Sequence, residues 1–72
     1  MINSELLSDR MAIEGVTSKD LSKDIGISEN TLRAIRRGEK SPTLDIVEKI
    51  CERLHIRDLN VKAAIFLPGA SQ

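Results

Sequence analysis

A chain of 72 residues and 8.0 kDa has the size of one small domain, which excludes multidomain chemistry and any cofactor site needing two packed layers around it. Hydrophobic residues are 40% and charged residues 31%, the balance of a folded domain and not of a disordered one. With one aromatic residue, Phe66, two prolines and four glycines, the core must come from Ile, Leu, Val, Met and Ala, a palette that predicts an all-α fold. Net charge is zero but unevenly placed: residues 1–32 carry three basic and six acidic side chains, and residues 33–62 carry eight basic and five acidic ones.

In chain order, the spacing of Leu6, Leu7, Met11 and Ile13 predicts a first helix over about 4–14, capped by Ser4 and ended by Gly15. Thr17 with Asp20 three residues on has the form of a capping box, so a second helix spans about 18–25 and buries Leu21 and Ile25 before Gly26. Ser28 caps a third helix over about 28–37. Thr31, Leu32 and Ile35 share one side of it, and Glu29, Asn30, Arg33, Ala34 and Arg37 cover the other. After Pro42, Thr43 or Ser41 caps a fourth helix over about 43–54, with Leu44, Val47, Ile50, Cys51 and Leu54 inward. Asp58 or Asn60 caps a short fifth helix through Val61, Ile65 and Phe66. Residues 1–67 thus form a single domain, and 68–72, after the stop at Pro68, a flexible tail. The expected core is Leu7, Met11, Leu21, Ile25, Leu32, Ile35, Val47, Ile50 and Leu54.

Several chemistries find no support in this sequence. One cysteine, Cys51, allows no internal disulfide, and with one histidine it makes no Cys/His zinc site. Cys51 reads as a small buried hydrophobe, and His55 as a cation beside the end of the fourth helix. No catalytic triad, carboxylate pair, phosphate loop or metal spacing is present, so neither an enzyme nor a bound cofactor or metal is expected. The longest uncharged run, from Ala63 to Gln72, is too short to span a bilayer, and there is no leader-like amino end. A cytoplasmic protein without a membrane role is expected.

The informative segment is Ser18 to Arg37. Leu21, a small Ser22, Ile25, Gly26, Ile27, Leu32 and Ile35 stand where two short helices crossing steeply require them. Ser22 lets the backbones approach, Gly26 makes the turn, and the apolar residues plug the angle. Together with Gly15-Val16-Thr17 before it and Arg37-Gly38-Glu39-Lys40-Ser41-Pro42-Thr43-Leu44 after it, the segment resembles the helix-turn-helix of the phage repressor and Cro (lambda-repressor-like, XRE) family. The resemblance runs without gaps from Leu7 to Leu54.

It implies a compact four- to five-helix DNA-binding fold, with the helix-turn-helix at about 18–37 and the third helix in the major groove. By position, Glu29, Asn30, Arg33 and Ala34 would read bases. Ser18, Lys19, Ser28 and Thr31 would lie at phosphate or nearby bases, and Arg37 and Lys40 would hold backbone. Asn30 suits adenine, Arg33 guanine, and a carboxylate at 29 suits cytosine N4. The expected role is a small transcriptional regulator of a phage genetic switch, of the Cro or modulator-of-repression type, binding double-stranded operator DNA and able to form a homodimer.

The chain also departs from the family pattern. Ser18 replaces a phosphate-anchoring glutamine. Ser22 replaces a small alanine and must return its hydroxyl to a backbone carbonyl, that of Ser18. Asp20, Asp24 and Glu29 set carboxylates on or beside the face meant for DNA. These carboxylates support an alternative: an antirepressor or co-regulator that grips the basic DNA-binding surface of a partner repressor, using Asp20, Asp24, Glu29 and Arg33, with Ile65 and Phe66 at the apolar end.

Overall fold

The computed structural model describes residues 2–67. Among these residues there are five α-helices and no strand: α1 (Ser4–Glu14), α2 (Ser18–Ile25), α3 (Glu29–Arg36), α4 (Leu44–Arg53) and α5 (Leu59–Phe66). The all-α expectation holds, and α1 to α4 match the predicted spans to within their cap residues. The expected tail at 68–72 lies outside the described residues.

Local chemistry starts each helix. Thr17, Ser28, Thr43 and Asp58 cap α2 to α5, each side chain accepting from a backbone N–H of the first turn. For α1 the expected cap was Ser4, but Asn3 does this work, its Oδ1 accepting from the Leu6 amide at 3.1 Å. The Asn3 amide in turn donates to the Ile65 carbonyl at 2.6 Å, so the start of α1 is tied to the end of α5 and Ile2 is drawn into the core.

Four helices end in the same way. In α1 to α4 the amide just after a left-handed residue returns to a carbonyl five residues back: Val16 to Met11, Ile27 to Ser22, Glu39 to Ala34 and Ile56 to Cys51. This closing motif needs one residue in the left-handed region. Glycine supplies it at 15, 26 and 38, but His55 supplies it after α4, at φ 56°. His55 was expected to act on the end of its own helix. Its ring instead lies 2.8 Å from Glu14 Oε1, and joins the end of α4 to the end of α1. Arg10 makes a second tie between the same helices through the Leu54 carbonyl, at 3.4 Å.

One core serves all five helices. Leu7, Leu21, Leu32, Ile35, Ile50, Leu54 and Ile65 are wholly buried, with Ile2, Met11, Val16, Ile25, Cys51 and Ile56 nearly so. Val47, expected inside, is half-buried. Burial pushes the Cys51 thiol up, away from thiolate chemistry.

Leu44, read as inward, is not, and two of the residues whose spacing predicted α1 are also left uncovered. Leu6 and Ile13 lie about 100° or more around α1 from Leu7, and are 38% and 67% exposed. Leu44 is 71% exposed because it opens α4 beside an uncovered groove of about 400 Å³.

Candidate nucleic-acid interface

α2 and α3 pack directly on one another, and Gly26, at φ 79°, turns the chain between them. Ser22 is 3% exposed at this crossing, and its hydroxyl donates to the Lys19 carbonyl at 2.9 Å. The expected acceptor was the Ser18 carbonyl; the hydroxyl takes the carbonyl three residues back and not the one four back, both of which a serine in a helix can reach. Ile27, half-buried against the core, and the wholly buried Leu32 and Ile35 fill the angle. α3 is thereby fixed by its apolar side and leaves its polar side open.

That open side carries Glu29, Asn30, Arg33 and Arg37, all exposed, with Ala34 and Thr31 half-buried at its edges. Ser28 is occupied at the helix start: its Oγ accepts from the Thr31 amide at 3.0 Å and lies 2.9 Å from Thr31 Oγ1. A polar cleft of about 240 Å³ joins this side to α1 and α2, lined by Ser4, Ser18, Glu29, Arg33, Arg36 and Arg37. Three arginines against one carboxylate make it a place for an anion.

Lys19 is exposed on the first turn of α2. Lys40 stands apart from the cleft and lines the apolar groove with Leu44, Val47 and Phe66.

The three carboxylates fare differently. Asp24 is taken by Arg53 of α4, with Oδ2 2.6 Å from Nε. Asp20 closes the capping box: its carboxylate accepts from the Thr17 amide at 3.3 Å, while the Thr17 hydroxyl accepts from the Asp20 amide at 3.1 Å. Glu29 alone lines the arginine cleft. Of the two apolar candidates, Ile65 is wholly buried and unavailable, and Phe66 is half-buried in the groove.

The hydrogen bonds from Thr17 hold the Asp20 carboxyl below the usual aspartate range, with Arg53 and Lys19 adding to it. A depressed carboxylate stabilises the fold above its unfolded pKa, and that contribution is lost as pH falls through the folded value. Thr17→Ala removes the hydroxyl but keeps the amide donor, so the Asp20 carboxyl is expected to move only part of the way back up toward the usual range, and loss of the cap to cost about 0.5–2 kcal/mol. A carboxyl-detected NMR titration and a thermal melt measure the two effects.

Sequence reasoning missed Arg36, Ser4 and Ser8. Arg36 is half-buried, and donates to the hydroxyls of Ser18 on α2 and Ser8 on α1. Its signal was available: it stands one turn from Leu32, on the apolar side, where an unpaired charge calls for an account.

A family model for the Cro/C1-type helix-turn-helix DNA-binding domain matches residues 6–58. The chain belongs to that family. The match begins within α1, runs through α4 and stops at the cap of α5, so it includes the α2–α3 crossing, the exposed face of α3 and every residue lining the arginine cleft except Ser4. No curated protein and no solved structure matches the chain. Members of this family are DNA-binding domains, and they are typically regulators without enzymatic activity. No helix among the described residues is long and apolar enough to cross a membrane.

Proposed function

We propose that the protein is a transcriptional regulator that reads operator DNA with α3 in the major groove. The observation that carries this is the division of α3: Leu32 and Ile35 anchor one side, while Asn30, Arg33, Arg37 and Glu29 stand free on the other beside a cationic cleft. In this reading Asn30, Arg33, Glu29 and Ala34 meet base edges, and Ser18, Lys19, Ser28, Thr31 and Arg37 lie near backbone. Lys40 reaches backbone from the turn after α3. The resemblance to phage regulators extends the reading to a genetic switch; a divergently oriented repressor gene beside its own would support that role. A homodimer would present two such helices to a two-fold operator.

The antirepressor reading is narrowed by the ion pair of Asp24 and the capping bonds of Asp20, since carboxylates already engaged offer less to a basic partner. Glu29 is the carboxylate that distinguishes the two. Glu29→Gln removes one repulsion from phosphate, so affinity for random-sequence duplex DNA should rise about three- to tenfold at low salt, with a steeper salt dependence. If the protein grips a repressor surface instead, the same change should slow association with that repressor and leave DNA binding unmoved. Fluorescence anisotropy with a random-sequence duplex at two salt concentrations, beside the same titration with a candidate partner repressor of this family, separates the outcomes. Absence of any salt-dependent DNA binding by the wild type would overturn the proposal.

A further inference from the structure

Arg36 has two hydroxyl partners and no carboxylate within ion-pair distance among the described residues, and its Nε is buried without a partner. A half-buried cation is normally matched by an anion, because hydrogen bonds alone offset only part of its lost hydration. We infer that Arg36 is a positioning residue of the interface: it holds Ser18 from behind so that the hydroxyl donates outward to a DNA backbone phosphate, whose charge then answers its own. The inference rests on the DNA-binding reading.

The chemistry follows from counting protons. A serine oxygen has one proton to give and two lone pairs to accept with, whereas a guanidinium only donates. The bond from Arg36 therefore occupies a lone pair of Ser18 Oγ and leaves its O–H for another acceptor. Ser18 is the first residue of α2, an eight-residue helix whose cap hydroxyl, on Thr17, takes the Asp20 amide. The amides of Ser18 and Lys19 belong to the first turn and have no partner within the helix. Two amides of the first turn, one hydroxyl whose proton is left for another acceptor, and the positive end of α2 thus come together at Ser18, which lines the cleft with Glu29, Arg33, Arg36 and Arg37.

Ser18 is a short side chain for this task. The other arm of Arg36, on Ser8, anchors the guanidinium to α1 and fixes the serine in place. Reach in front is exchanged for rigidity and charge behind.

A double-mutant cycle on the full chain tests the inference, read by anisotropy on a random-sequence duplex and on an operator duplex. Arg36→Met should weaken both duplexes alike, by about tenfold. In the Ser18→Ala background the same change should cost threefold or less, because its route to the phosphate is already gone. Arg36→Lys keeps the charge but cannot fork between two hydroxyls, and should fall between wild type and Arg36→Met. It carries the cycle if the methionine variant does not fold. An equal loss in both backgrounds, or no loss, overturns the role.

A second arm needs no DNA. Inorganic phosphate titrated into ¹⁵N-labelled protein should shift the Ser18 and Lys19 amides in wild type and much less in Arg36→Met. Equal shifts in both, or none in wild type, would refute the positioning role. A phosphate response lost with Arg36, in a protein that binds no duplex, would instead sink the DNA reading alone.

Discussion

Leu32→Ala is expected to lower the melting temperature by roughly 10–40 °C, the largest stability effect of any single substitution considered. Leu32 is wholly buried at the α2–α3 crossing, and truncating a leucine in such a place costs about 2–5 kcal/mol through lost transfer energy and the cavity left behind. A domain of this size holds about 4–11 kcal/mol in total, and each kcal/mol moves the midpoint by about 4–8 °C. Leu44→Ala removes the same atoms from a side chain that is 71% exposed, and should shift the midpoint by only a few degrees, in keeping with about 0.5 kcal/mol for surface changes. Circular dichroism melts of the two variants check the contrast. A Leu32→Ala protein as stable as wild type would mean that the angle between α2 and α3 is not held by this plug.

DNA recognition should divide the exposed face of α3 into two classes of residue. Asn30→Ala and Arg33→Ala are each expected to cost about 1–3 kcal/mol against the preferred base at one operator position, and to relax preference there. Arg37→Ala and Lys40→Ala should weaken all duplexes together, and each should lower the slope of log affinity against log salt by about one unit. Binding measured on operator variants at several salt concentrations reads both patterns. The structure adds a distinction to this set. Arg37 lines the arginine cleft beside Arg33, whereas Lys40 lies along the apolar groove, so the drop in slope should be larger for Arg37. Wild-type specificity in Asn30→Ala and Arg33→Ala, with wild-type affinity in Arg37→Ala and Lys40→Ala, would remove α3 from the reading role.

The sequence by itself determined the helices and where they end. Thr17 with Asp20, Ser28, Thr43 and the left-handed glycines act on amides and carbonyls only a few residues away, so their effect is legible without knowing the fold. The α2–α3 crossing was legible for the same reason, since Ser22, Gly26, Ile27, Leu32 and Ile35 lie within one short stretch. The family match over residues 6–58 contains the whole of this locally written pattern.

Only the tertiary structure decided what depends on which helix covers which face. Leu44, Ile13 and Leu6 carry the residue type of a core but stand where no neighbour closes over them. Ile2 and Ile56 enter the core because Asn3 reaches Ile65 and because His55 turns the chain after α4. The acidic residues were readable as charge but not as partners: Asp24 meets Arg53 from 29 positions away, and Glu14 meets His55 from 41. Arg36 is the sharpest case. Its place on the apolar side of α3 was visible, but its two hydroxyl partners lie 18 and 28 residues distant on other helices. Side-chain bonds across such separations are set by helix packing, which local spacing does not encode.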